Sequence, residues 1–110
     1  MNDPTSPTTG IDDTVHQRHR LGILTIAAEV DRVEFAYLQD NLGLTPGNLN
    51  GHLTVLEAAG LIAIHKEFHG RKPKTWITIT KLGRRALAKE IAILTELVQR
   101  HRPDASSKPR

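Results

Sequence analysis

The feature that most constrains the fold is a short helix followed almost at once by a pair of strands. Thr45 and Pro46 form a strong helix start, because threonine can cap a helix and proline at the first helical position loses no hydrogen bond. Gly60 is a favourable left-handed end for that helix. In residues 62–79 the side chains first alternate with period two, then become rich in β-branched types after a Gly-Arg-Lys-Pro turn. The sequence therefore predicts a helix linked closely to a β-hairpin.

Three further segments have the spacing of amphipathic helices. Apolar residues recur every three or four positions in residues 14–29 and in a second segment, 33–42, which begins with Val33-Glu34-Phe35 and is ended by Gly43. Thr80 can cap a final helix that continues to about Arg100. The order of elements is helix, helix, helix, hairpin, helix. This order predicts a mainly α domain with a small β-hairpin, an α+β fold in which a three-helix core is flanked by a two-stranded wing.

Length and composition set the limits of this domain. The chain has 110 residues, of which 38% are hydrophobic, and this suits one modest core. Both ends are rich in proline, serine, threonine and charge, and too poor in apolar groups to offset the entropy lost on ordering. We therefore predict disordered tails at 1–13 and 102–110 and a folded domain at 14–101.

Charge is unevenly distributed along the chain, although the net charge is only +3. Residues 29–57 contain five acidic side chains and one basic one, whereas residues 65–89 contain eight basic and one acidic. Such segregation is the electrostatic footprint of a polyanionic partner. For a charge run taken alone, a solvated charged face is the commoner explanation.

Several motifs between residues 42 and 83 occur together in the order of a known family. They are Leu42-Gly-Leu-Thr-Pro-Gly-Asn-Leu-Asn-Gly-His-Leu53, Leu56-Glu-Ala-Ala-Gly-Leu-Ile62, the Gly-Arg wing tip, and Ile79-Thr-Lys-Leu-Gly83. This stretch resembles the DNA-binding domain shared by MarR- and ArsR-like regulators, which have the winged helix-turn-helix fold. The resemblance implies a sequence-specific transcriptional regulator that binds double-stranded DNA at an inverted-repeat operator, and we expect a repressor.

The resemblance also implies where DNA is contacted. The helix at 45–59 would enter the major groove, and the basic wing at 69–75 would reach the minor groove or the backbone. Carried over by position, the DNA contacts are Thr45, Asn48, Asn50, Gly51, Thr54, Arg71, Lys72 and Lys74. The family usually has Ser, Thr or Arg where this chain has Gly51. A ridge with glycine at 47 and 51 indicates either close approach of the backbone to the groove or weak sequence reading.

The last helix has a wider apolar face than one core requires. Its two stripes are Leu82, Ala86, Ile93 and Leu97, and Leu87, Ile91, Leu94 and Val98. Together they span nearly twice the roughly 100° that a single core needs. We therefore predict a homodimer held by the N- and C-terminal helices, with Val15, Leu21, Leu24, Leu87, Ile91, Leu94 and Val98 at the interface. Glu90, between the stripes, could pair with a basic group of the partner; alternatively, the first helix of the same chain covers both stripes.

Other functions have less support in the sequence. His16 and His19, and likewise His65 and His69, could share a face, but no cysteine or well-placed carboxylate set accompanies them, so we expect no metal or other cofactor. No enzyme motif is present. The open alternatives are a winged-helix module for protein–protein contact and, less favoured, an ArsR-like metal-responsive regulator.

The sequence also bears on location and effectors. The N-terminus lacks a basic start with an apolar run, and no apolar segment approaches the roughly 20 residues of a membrane helix. We therefore expect a cytoplasmic, nucleoid-associated protein without a membrane partner. A small-molecule effector would have to sit between the terminal helices and the core, and its identity is unknown.

Overall fold

The computed structural model describes residues 6–102. In chain order the elements are α1 (Asp13–His16), α2 (Arg18–Ala28), β1 (Val33–Glu34), α3 (Phe35–Leu42), α4 (Pro46–Ala58), β2 (Ile62–His69), β3 (Lys72–Ile79) and α5 (Lys81–His101). The predicted mixture of helices with a β-hairpin is confirmed. Helices α2, α3 and α4 form the core, β2 and β3 form the hairpin, and α5 follows it.

The first predicted helix is divided in two. One continuous helix is predicted over 14–29, but the backbone bends at Gln17, which has ψ 130°. The side-chain oxygen of Gln17 accepts hydrogen bonds from the backbone N–H groups of His19 and Arg20, at 2.9 and 3.0 Å, and so caps α2. Because glutamine is not among the preferred capping residues, apolar spacing alone does not reveal this break.

A third strand, which the sequence pattern does not predict, joins the hairpin. Strand β1 pairs antiparallel with β3, with Val33 opposite Ile77, and the strand order is β1-β3-β2. Two residues are too few to display a period-two pattern. The added strand ties the link between α2 and α3 to the base of the hairpin.

The core lies where α2, α3 and α4 meet the inner face of the sheet. Three leucines of α4 are buried as the helical spacing predicts: Leu49, Leu53 and Leu56. They belong to one buried cluster with Val15, Ile23, Leu24, Ala27, Val33, Leu38, Leu61, Ile62, Ile77 and Leu87. None of the helices in the described part of the chain is both long and apolar enough to cross a membrane.

Helix α5 meets this core along its first half only. Its buried residues are Gly83, Leu87 and Glu90, and in the described chain no residue of α5 beyond Glu90 is buried. At Gly83 the helix crosses the chain so closely that a Cβ atom would collide with the carbonyl oxygen of Leu61. The second half of α5 extends beyond that core, and residues 6–10 lie along one side of it: a Cβ atom at Gly10 would lie 3.5 Å from Cδ1 of Ile93.

Residues 6–12 lead into α1 through hydrogen-bonded turns. The backbone N–H of Thr9 donates to the carbonyl of Ser6 at 3.0 Å, and Asp12 caps α1 by accepting from the N–H of Thr14 at 2.9 Å. The rest of the predicted tails, 1–5 and 103–110, lies outside the described residues.

Candidate nucleic-acid interface

Helix α4 is fixed at its start by the predicted cap. The hydroxyl oxygen of Thr45 accepts a hydrogen bond from the backbone N–H of Asn48 at 3.1 Å, and Pro46 occupies the first turn. Past the other end of the helix, Gly60 has φ 77°, a left-handed conformation that glycine adopts without strain. Both predicted ends are confirmed, and the hydroxyl of Thr45 is engaged in capping.

The side of α4 that faces away from the core is exposed. We define the α4 ridge as Gly47, Asn48, Asn50, Gly51, Thr54 and Ala58. The Thr54 hydroxyl donates to the carbonyl of Asn50 at 2.9 Å, whereas the side-chain amides of Asn48 and Asn50 make no hydrogen bond within residues 6–102. A Cβ atom at Gly51 would meet no atom within 4 Å. The ridge therefore presents two side-chain amides that have no hydrogen-bond partner within residues 6–102, beside helix backbone that no side chain covers at Gly51.

The edge of α4 between the ridge and the buried leucines is held through His52. Nδ1 of His52 lies 3.2 Å from a guanidinium nitrogen of Arg20, and the His52 and His19 rings are 5.4 Å apart. Arg20 also donates from Nε to the carbonyl of Thr14 at 2.6 Å. Burial, the charge of Arg20 and then that of His19 lower the pKa of His52. Neutral His52 thus accepts from Arg20 and links α4 to the first two helices.

The predicted basic wing is the far end of the hairpin. The last cross-strand pair is His69 with Lys72, and Gly70 and Arg71 form the turn. Arg71 and Lys72 are exposed, and neither forms an ion pair with any residue between 6 and 102. These two cations are therefore available to an external anion.

The third predicted wing contact, Lys74, is in a different position. It is half-buried, and its Nζ lies 4.0 Å from a carboxylate oxygen of Glu34. The acidic residue of the wing, Glu67, pairs with Arg32 at 2.7 Å, and that guanidinium lies 3.9 Å from the centroid of the Trp76 ring. The carboxylate of Glu67 is thus paired with Arg32, and Lys74 lies within ion-pair distance of Glu34.

An open groove of about 620 Å³ separates α4 from the hairpin. It is lined by Phe35, Pro46, Asn50, Leu53, Glu57, Ile64, Lys66 and Thr75. Lys66 was not among the predicted DNA contacts, yet it lines this groove together with Asn50 of the α4 ridge. The period-two pattern of β2 could have predicted that Lys66 faces this groove, because Lys66 follows Ile64 on the same face of the strand.

The predicted dimer residues fall into two groups. Val15, Leu24 and Leu87 are buried in the core of their own chain, which corrects their assignment to an open interface, and Leu21 is half-buried against that core. The other three lie in the second half of α5: Ile91 is 48% exposed, Val98 is 60% exposed, and Leu94 is half-buried. They line an open groove of about 260 Å³ with Thr95, Gln99 and Arg102.

The pairing of Glu90 with His16 was not predicted from the sequence. Glu90, expected to meet a basic group of a partner chain, is buried and pairs with His16 of the same chain. His19 instead faces His52, so the two histidines of the predicted pair contact different groups. In the part of the chain that the structure describes, no three His, Asp or Glu side chains are grouped so that they could hold a metal ion.

Comparisons with known proteins agree with this geometry. A core of three helices, a three-stranded sheet, and the exposed side of the third core helix, α4, beside a basic hairpin define a winged helix protein. Residues 19–98 match the family described as winged helix DNA-binding domain. An uncharacterized protein of Methanocaldococcus jannaschii is 37% identical over 78 residues, which cover 71% of this chain and 85% of the relative. The chain belongs to the winged helix DNA-binding domain family.

Solved structures show the same fold. A transcriptional regulator homologue from Pyrococcus horikoshii OT3 is 29% identical and superposes with a TM-score of 0.75, covering 84% of this chain and 90% of the other. A MarR-family transcriptional regulator from Rhodococcus sp. RHA1 is 24% identical with a TM-score of 0.60, covering 86% and 68%. The resemblance to MarR-like proteins inferred from the motifs is confirmed at the level of the fold.

Proposed function

We propose that this chain is a sequence-specific transcription regulator that binds double-stranded DNA as a homodimer. The observation that carries the proposal is the exposed α4 ridge, with uncommitted amides, beside a wing whose tip has two unpaired cations. A helix of this size fits the major groove, and a basic hairpin beside it can reach the adjacent backbone or minor groove.

The α4 ridge supplies the reading groups of the proposal. Asn48 and Asn50 can each pair bidentately with adenine. Gly51 leaves the helix backbone open, so bases or phosphates can approach more closely than a longer side chain would allow. The ridge itself carries no charge. Most of the affinity in this proposal therefore comes from phosphate contacts of the wing, and the ridge adds selectivity.

The dimer rests on the side of the second half of α5 that lies outside the contact with residues 6–10. Ile91, Leu94 and Val98 have the three- and four-residue spacing of a helix-pairing seam. Pairing two such helices around a two-fold axis places the two copies of α4 symmetrically. The DNA site would then be an inverted repeat with half-sites about 34 Å apart, or a multiple of that distance.

The proposal is tested by titrating the protein into labelled random-sequence duplex at several salt concentrations. We expect log K to fall linearly with log salt, with about 0.9 of slope for each neutralised phosphate. Repeated selection from the pool should then enrich an inverted repeat. An absence of binding at low salt would contradict DNA binding and favour the protein–protein module, and binding without enrichment would contradict sequence specificity.

A further inference from the structure

The most exposed large apolar side chain in the described chain lies on the wing. Phe68 is 71% exposed and is the residue of β2 before the last cross-strand pair. Burying a phenylalanine side chain stabilises a protein, and most of that stabilisation is not realised here. A single exposed apolar residue is ordinary on a protein surface. The position of Phe68 and its surroundings make it informative.

Phe68 projects from the side of the hairpin that α4 occupies. Alternation along β2 places it on the same face as Ile64 and Lys66, which line the groove against α4. It is four residues beyond Ile64, or about 13 Å further along the strand. Its cross-strand partner is Pro73, which is also exposed. Phe68 and Pro73 therefore form an apolar tip, continuous with the proposed DNA-facing side and beyond the reach of the core.

Positive charge surrounds this apolar tip. Lys66 precedes Phe68 on the same face, and Arg71 and Lys72 follow it around the turn. The acidic neighbour, Glu67, is on the opposite face and is paired with Arg32. An apolar group with unpaired cations around it suits a partner that has phosphates on either side of an apolar interior. It does not suit a second copy of the wing, which would bring like charges together.

We propose that Phe68, supported by Pro73, is a wedge that enters the DNA minor groove and partly unstacks a base step while the flanking cations hold the phosphates. This inference rests on the proposed function, because it requires a duplex bound to the wing. Proteins that insert apolar side chains between base steps kink the duplex. Pyrimidine–purine steps unstack most easily, so the wedge would add sequence preference at positions that no polar side chain reads.

The test uses the full chain and a duplex enriched on the wild-type protein, with donor and acceptor dyes at its ends and 2-aminopurine at successive steps. We expect the wild type to bring the ends closer and to brighten 2-aminopurine at one step in each half-site. Phe68→Ala should abolish both signals and weaken binding by about tenfold, the size of one lost contact with a base. Its salt slope should be unchanged because Phe68 carries no charge.

Matched variants separate this role from others. Phe68→Leu keeps an apolar wedge and should retain most of the end-to-end change, whereas Val30→Ala, an exposed apolar residue outside the wing, should change nothing. If the wild type binds duplex but Phe68→Ala leaves both optical signals intact, the wedge is wrong and the regulator proposal stands. If the wild type binds no duplex, both proposals fail. If Phe68→Ala changes only the oligomeric state in light scattering, Phe68 is a protein contact and the wedge is overturned.

Discussion

Nδ1 of His16 lies 2.5 Å from Oε2 of Glu90, although 74 residues separate them along the chain. Glu90 is only 2% exposed, whereas the side chain of His16 is 47% exposed. The pair joins α1 to the middle of α5, at the point where that helix leaves the core. A buried carboxylate is costly unless it is paired, so His16 makes this position tenable for an acid.

Removing His16 should therefore destabilise the protein. We expect His16→Ala to lower the free energy of unfolding by about 1–3 kcal/mol, because the carboxylate of Glu90 then remains buried without its partner. Adding Glu90→Leu should recover most of the loss, since an apolar side chain needs no partner there. Urea denaturation measures both, with His101→Ala as the exposed control. Equal stability of the wild type and His16→Ala would show that the pair is dispensable.

Arg71 should matter for DNA and not for folding. It is exposed at the turn and unpaired within the described chain, so we expect Arg71→Ala to leave the melting temperature unchanged and to weaken duplex binding by about 1–3 kcal/mol. If Arg71 contacts a phosphate, the salt slope should also fall by about 0.9. Arg32→Ala is the matched control: Arg32 pairs with Glu67 and stacks on Trp76, so its loss should affect stability first. The reverse pattern would make Arg71 structural.

Gly51 should behave differently from Gly83, which also lies within a helix. Because no atom lies within 4 Å of a Cβ atom at Gly51, Gly51→Ala should stabilise the protein by up to about 1 kcal/mol. Gly83→Ala should destabilise it, because the added methyl collides with the carbonyl of Leu61. Gly51→Arg should also change duplex affinity or the selected sequence. Unaltered affinity and selection would mean that the α4 ridge is not the reading surface.

Stability should depend on pH through His52. The pKa of this imidazole is lowered in the folded chain, so the unfolded chain binds a proton more readily as the pH falls below the ordinary value of 6.5. The free energy of unfolding should therefore decrease from pH 7 through this range. His52→Gln, which does not titrate, should show a shallower dependence. Parallel curves for the two proteins would exclude His52 as a source.

The exposed seam of α5 should hold the dimer. We expect the wild type to be dimeric in light scattering at micromolar concentration, and Ile91→Glu to be a folded monomer with weakened duplex binding. Ala92→Glu is the control, because Ala92 is also exposed and lies about 100° further round the helix. A monomeric wild type, or an Ile91→Glu protein that dimerises normally, would contradict the arrangement.

Local signals in the sequence predicted the helices, the hairpin and the exposed side of α4, because each depends on neighbouring residues. The cap at Thr45 and the leucine spacing after it are of this kind. What the sequence could not supply were relationships between distant segments. Glu90 read as an interruption of an apolar face because its partner lies in another helix. For the same reason Leu87 was assigned to a partner chain, whereas the same chain buries it.

The crossing at Gly83 has a mechanical consequence. Thr80 donates its hydroxyl to the carbonyl of Gly60 at 2.7 Å and accepts from the N–H of Gly83 at 2.9 Å, and its own N–H reaches Leu61 at 3.0 Å. These hydrogen bonds and the close crossing at Gly83 hold the end of α4 rigidly against the start of α5. In a pair of chains joined through α5, the orientation of each α4 would be fixed relative to its own α5. The separation of the two copies of α4 would therefore be set at these two junctions.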